Sequence, residues 1–184
     1  HLLAKLGIPW ESEQAVQYAD ELYERIGYLT IKASHELGKE KGSYPSFQGS
    51  GWENGQYFTQ RGYTDDKWTE LKEDVGKHGI RNSYLMAVAP NSSTAMIAGS
   101  TASIDPVFKP FYYEEKKDFK IPTTAPDLDH NTYDIYRRSA YVVDQRWSVK
   151  QNAARQKHVD QSISFNIYVP YNIRASVLLD LHVQ

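Results

Sequence analysis

The chain has 184 residues, about one domain's worth, of which 40% are hydrophobic and 13% aromatic, with no cysteine and a formal net charge of -2. Without cysteine, this stretch holds no disulfide framework, thiolate zinc site, iron–sulfur cluster or sulfur nucleophile. The balance of 21 basic against 23 acidic residues argues against nucleic acid as a partner, and runs such as Val177 to Leu179 are far shorter than the roughly 20 residues of a membrane span, so a soluble chain is expected. With Lys5 inside the short first apolar stretch no signal peptide is visible, and a cytoplasmic chain is expected.

Residue 1 is His, and His1 to Leu6 read as an amphipathic helix already in progress. Arg174 to Gln184 is likewise a helical pattern without a Gly or Asn cap, so the sequence reads as a portion of a longer protein, truncated at both ends. Between them the strongest element runs from about Ser12 to Lys41. Val16, Ala19, Leu22, Tyr23, Ile26, Leu29, Ala33 and Leu37 recur there at three- and four-residue steps, predicting one buried helical stripe. Ser12 is its expected N-cap and Gly42 with Pro45 its stop, while Gly27 and Gly38 weaken the helix between. Ser43 to Gly62, rich in Gly, Ser and aromatics, has no period and predicts a long ordered loop. A second helix is expected from about Asp65 to His78, capped by Thr64, with Trp68, Leu71 and Val75 inward and Gly79 as its end.

Asn82 to Ala89 is a short apolar run bounded by Pro90 and predicts a buried strand. Pro90 to Thr94 then turns into the helix-like run Ala95 to Gly99. Val107 to Pro122 suits a hairpin or an edge excursion whose charges, Glu114 to Asp118, face water. Asp127 to Asp134 reads as a loop, and Ser148 to Asp160 as a helix with Val149, Asn152, Ala153, Gln156 and Val159 on one face. Ser162 to Tyr168 alternates polar and apolar residues and predicts a strand ending at Pro170. Helices and single strands alternate, so the class is α/β.

Most motifs have an ordinary structural explanation. His35-Glu36 begins a zinc-protease pattern, but position 39 is Lys, so a partly exposed helix surface accounts for the pair better. No Gly-x-Ser-x-Gly, Gly-x-Gly-x-x-Gly or Gly-x-x-x-x-Gly-Lys-Ser/Thr occurs. Asp105, Glu114, Asp127, Asp144 and Asp160 could supply paired carboxylates for a sugar-active enzyme, but nothing in their spacing selects two. Arg81 and Arg155 suit a buried ion pair more readily than a phosphate clamp. The aromatics around Tyr57-Phe58 and Phe111 to Tyr113 read as loops held down by their own rings rather than stacking surfaces. Asn91-Ser92-Ser93 matches a glycosylation sequon by chance. Pro90-Asn91-Ser92-Ser93-Thr94 is more informative: one amide and three hydroxyls lead into a helix start, where free N–H groups can hold a phosphate without a lysine. An ordinary Ser/Thr helix cap explains the same residues.

Four ordered blocks carry a family likeness: Ile31 to Gly42 (IKASHELGKEKG), His78 to Ser83 (HGIRNS), Ala89 to Thr94 with Ser103-Ile-Asp-Pro106 after it, and Gln156 to Ser164 (QKHVDQSIS). In order and spacing the chain resembles the large, catalytic α subunit of class I aerobic ribonucleotide reductases. The resemblance implies that residues 1–184 are part of the C-terminal half of a ten-stranded α/β barrel. It also implies that Pro90, Asn91, Ser92, Ser93 and Thr94 bind the diphosphate of a ribonucleoside diphosphate through backbone N–H groups and hydroxyls. Asn91, Ser92 and Ser93 stand where a familiar family pattern has Ser, Glu and Thr, so the hydroxyl contacts shift by residue. Also implied are partners: the rest of the α subunit, a metal-containing, radical-generating small (β) subunit, and thioredoxin or glutaredoxin as reductant. The family's thiyl radical and reducing cysteine pair lie outside this chain, as do its ATP and dNTP effector sites, so no catalytic, metal or cofactor residue is expected here and the chain alone should be inactive. The competing expectation is a non-enzymatic module that binds a phosphate ligand or a protein.

Overall fold

A helix of 29 residues dominates the chain: α2, Glu13–Lys41. Ser12 starts it, its hydroxyl accepting the Ala15 N–H at 3.1 Å. In full, the computed structural model describes residues 1–115 and 117–183. Its elements are α1 (Leu2–Lys5), α2, α3 (Gln56–Gln60), α4 (Asp66–His78), α5 (Ser92–Ile97), β1 (Phe111–Glu115), β2 (Lys120–Thr124), α6 (Tyr133–Tyr136), α7 (Gln145–Gln156) and α8 (Ala175–Val183). They are distributed over two compact units, each assembled from separate stretches of the chain.

One unit holds residues 20–87 and 155–162. Ile31, Trp52, Phe58, Trp68, Leu71, Val75 and Ile80 form its core. Trp68, Leu71 and Val75 face inward from α4, as their spacing predicts. The cap of α4 is Asp65 rather than Thr64, because the Asp65 carboxylate reaches the Trp68 N–H at 3.1 Å. The stripe of α2 is rotated from its expected phase. Gly27, Ile31, Ser34, His35 and Gly38 are buried in this unit, while Ile26, Leu29 and Leu37 stand exposed. The glycines are the reason, since a Cβ at position 38 would lie 3.0 Å from the backbone of Ile80 and Arg81, and one at 27 would lie 3.3 Å from the His158 carbonyl. They are points of close approach, not breaks. The region expected as a loop, 43–62, contains the short helix α3 and is packed by its own rings, with Trp52 stacked on Tyr57 at 3.7 Å and Arg61 over Tyr57 at 3.6 Å.

The other unit holds residues 1–19, 88–154 and 163–184. Ala4, Ala125 and Tyr136 form its small core. The expected hairpin is present as antiparallel β1 and β2, in register Phe111 with Thr124 through Glu115 with Lys120. Lys116, in its charged run, lies outside the described residues, as does Gln184 of the expected last helix. Phe111 and Tyr113 do not pin a loop; both are exposed on one face of β1. The predicted helix from Ser148 is α7, three residues earlier, and its inward side is polar. Ser148, Gln151 and Asn152 are buried and Ala153 is exposed, because Gln151 donates to the Trp10 carbonyl at 2.9 Å and Trp10 donates to Ser148 at 3.3 Å.

Neither the buried strand predicted for 82–89 nor the alternating strand predicted for 162–168 is formed as a strand. Segments 82–89 and 162–168 are irregular and largely exposed, joined by a single parallel bridge, Val88 with Ile163. A strand exists through hydrogen bonds to a neighbour. Among the described residues the only ladder is the two-stranded one, so the chain is mixed helix and sheet and shows no ten-stranded barrel. Among the described residues no helix is long and apolar enough to cross a membrane.

Candidate substrate-phosphate site

The segment from Pro90 to Thr94 turns the chain into α5. Pro90 brings no N–H. The Asn91 amide and side-chain Nδ2 both donate to the Ala89 carbonyl, at 3.1 and 3.3 Å, and the Ser92 amide donates to the Pro90 carbonyl at 2.8 Å. The Asn91 carbonyl starts the helix by accepting the Ala95 N–H at 2.9 Å. The amides of Ser93 and Thr94 donate to no described residue, and no side-chain cap reaches them. The hydroxyls of Ser92, Ser93 and Thr94 are exposed beside them and unengaged among the described residues. The ordinary Ser/Thr cap reading therefore finds no cap hydrogen bond to support it. The arrangement is a cluster of free donors at a helix start, the geometry that holds an oxyanion.

This loop is anchored at both ends. On the upstream side Ser164 donates to the Val88 carbonyl at 2.9 Å. Downstream, Gly99 takes a positive φ of 62° and ends α5, and Ser100 returns to the Ala95 carbonyl at 2.8 Å.

The other residues singled out in the sequence have structural partners. His35 is buried, not on a partly exposed surface. Its Nδ1 lies 2.6 Å from the Gly79 carbonyl and its Nε2 2.8 Å from Asp74. Sequence alone misses this because Asp74 and Gly79 are some forty positions away. Arg81 is exposed and donates to the Gly42 carbonyl, and Arg155 is buried with its guanidinium 5.8 Å from the Tyr23 ring. Among the five acids, Asp127 pairs with His1 and Lys5, Asp144 with Arg146, and Asp160 accepts the amides of Leu85 and Met86 at 2.6 and 2.8 Å. Asp105 accepts from Ser103 and Asn166, and Glu114 sits in β1. Their separate partner sets favour structural roles. Among the described residues no group of three or more His, Asp or Glu is arranged to hold a metal ion.

Two clusters carry no sequence signal at all, because their members meet only in the fold. Tyr63 lies 2.8 Å from Nδ1 of buried His158, whose Nε2 lies 3.0 Å from Asp20. Burial pushes the Tyr63 hydroxyl above its ordinary pKa, so it stays a donor toward the ring. Tyr63→Phe leaves that nitrogen unpaired in a buried place and should cost about 1–3 kcal/mol, read as a lower urea midpoint. An unchanged midpoint would contradict the contact.

Asp74 is the second hub. Lys39 first, then His35 and His78, hold its carboxyl well below the usual carboxylate range. Depression in the folded state means that this stabilisation is present above the ordinary carboxylate pKa of about 4 and is lost as pH falls from there toward the folded value. Asp74→Asn should flatten the stability curve below about pH 4, followed by urea unfolding across pH. Parallel curves for the two proteins would remove Asp74 from acid sensitivity.

The family model described as ribonucleotide reductase, barrel domain, matches residues 1–184. The chain belongs to that family. It is 45% identical over 183 residues to the ribonucleoside-diphosphate reductase subunit alpha of Treponema pallidum (strain Nichols), covering 100% of this chain and 22% of that protein. To the subunit alpha of Helicobacter pylori (strain ATCC 700392 / 26695) it is 36% identical over 181 residues, covering 91% and 23%. For the Bacillus subtilis (strain 168) subunit alpha the figures are 29% over 188 residues, 91% and 27%. The chain thus spans about a quarter of the length of the curated relatives it matches.

Proposed function

We propose that this chain is the part of a ribonucleoside-diphosphate reductase α subunit that holds the diphosphate of the substrate. In this reading Pro90, Asn91, Ser92, Ser93 and Thr94 form the phosphate loop, and segments 82–89 and 162–168 are strands of a ten-stranded barrel completed by the rest of the subunit. The observation that carries it is the pair of undirected amides at Ser93 and Thr94 with three exposed hydroxyls beside them, in a chain matched end to end by the reductase barrel family. Binding there fixes where the ribose sits. The loop's contribution is positioning rather than bond making.

The reduction itself, 2′-hydroxyl replaced by hydrogen, belongs in this reading to cysteines elsewhere in the subunit. Its partners are the small β subunit, which would carry the radical-generating metal, and thioredoxin or glutaredoxin as reductant, in the cytoplasm. No residue of this chain is assigned to the metal or to ATP and dNTP effectors.

The gene supplies a direct test. Read continuously through this region, it should encode the reductase's cysteines upstream and a Tyr-Tyr segment downstream, and the isolated chain should show no turnover. An open reading frame lacking both features, or turnover by the isolated chain, would overturn the reading.

A further inference from the structure

Nothing about α5 holds it by packing. It buries no residue, and Met96 and Ile97 are 62% and 89% exposed. The orientation of the Ser93 and Thr94 amides is therefore set by the two feet of the segment. Both feet stand on the same stretch, residues 163–166. The upstream foot is Val88, bridged to Ile163 and accepting the Ser164 amide. The downstream foot is Asp105, 7% exposed, whose carboxylate gathers three donors. Oδ2 accepts the Ser103 hydroxyl at 2.6 Å and the Asn166 side-chain amide at 2.6 Å, and Oδ1 accepts the Asn166 backbone N–H at 3.0 Å. Ser103, at φ 57°, bends the chain in the left-handed region so that its hydroxyl also accepts the Asp105 amide at 3.1 Å. A left-handed serine costs free energy on its own and is kept here by the bonds it enables.

From this geometry we infer that Asp105, paired with Asn166, is a positioning residue for substrate binding: it sets the distance between the two feet and so aims the phosphate loop. The inference rests on the diphosphate reading of Pro90 to Thr94. A buried carboxylate accepting charge-assisted bonds is a stiff anchor, and amide donors aimed at an oxyanion lose affinity quickly when displaced.

Asp105→Asn removes the charge and one of the two acceptor oxygens: with the remaining oxygen toward the Asn166 backbone N–H the Ser103 hydroxyl loses its acceptor, and with it toward Ser103 the Asn166 N–H faces an NH2 group. In the intact α subunit, assayed with its small subunit and reductant, this variant should raise KM for a ribonucleoside diphosphate at least about tenfold and leave kcat within about threefold. Combining it with Asn166→Asp exchanges the two groups, restores donor to acceptor, and should bring KM back to within about threefold of wild type. A generally loosened structure would not be rescued by that exchange. If Asp105→Asn does not fold, the doubly exchanged protein decides: normal KM supports the staple, and a KM still raised overturns it. A normal KM for Asp105→Asn, while Ser92, Ser93 and Thr94 replaced together by Ala raise it, overturns the staple and leaves the phosphate loop standing. Normal KM for both removes the phosphate loop and the inference with it.

Discussion

Replacing Ser92, Ser93 and Thr94 together by alanine in the intact reductase subunit should raise KM for ribonucleoside diphosphates about ten- to a hundredfold and change kcat little. Each hydroxyl bonded to a charged phosphate oxygen contributes about 1.5–3 kcal/mol, and 1.4 kcal/mol is about a factor of ten. The range lies well below the sum of three such bonds, because the Ser93 and Thr94 amides remain and neighbouring contacts are not additive. In the proposed reading the effect falls on KM, because a 5′-diphosphate is remote from the 2′ carbon and would be held equally in ground and transition states. Steady-state kinetics on the triple variant check it. A KM equal to wild type would mean that the hydroxyls face nothing in the complex.

A second large effect is structural. Gly79→Ala should destabilise the fold by about 3 kcal/mol or more. Gly79 ends α4 at φ 84° and ψ -174°, a combination essentially confined to glycine, and an added Cβ would stand 1.7 Å from the Ser43 hydroxyl oxygen. The same residue offers its carbonyl to the His35 ring, so a shift of the Gly79 backbone to relieve the clash would also disturb that contact. Gly42→Ala is the matched comparison. Gly42 has a φ of 80° but open space where its Cβ would be, so it should lose only about 1 kcal/mol. Urea unfolding of both variants, with m unchanged, measures the difference. Equal losses would show that neither the ψ of Gly79 nor the contact with Ser43 adds to the cost of a positive φ.

The helices are readable in the sequence because their causes are local. Ser12 caps α2, and Trp68, Leu71 and Val75 line α4 at helical spacing, each within one or two turns of the residues that decide it. The phase of α2 is not readable, since Gly27 and Gly38 face inward only because the His158 carbonyl and the Ile80 backbone come close to them. Apolar counting instead favours Ile26, Leu29 and Leu37, which stand in solvent. Segments 82–89 and 162–168 have strand-like composition, but composition does not supply a hydrogen-bonded neighbour, and one bridge is what they make. The polar inner side of α7 is hidden for a related reason: Gln151 is satisfied by a carbonyl at Trp10, 141 positions away. For the candidate site, the hydroxyl cluster and helix start at 90–94 are visible in sequence as composition. Which amides are left undirected, and that Asp105 meets Asn166, depend on contacts that only the fold creates.

The most direct measurement is equilibrium binding of a ribonucleoside diphosphate, and of the same ribonucleoside without its diphosphate, to the intact subunit and to the variant with Ser92, Ser93 and Thr94 replaced by Ala. The phosphate-loop account predicts that wild type binds the diphosphate form at least about tenfold more tightly than the nucleoside, and that most of this preference disappears in the variant. An unchanged preference in the variant would contradict it.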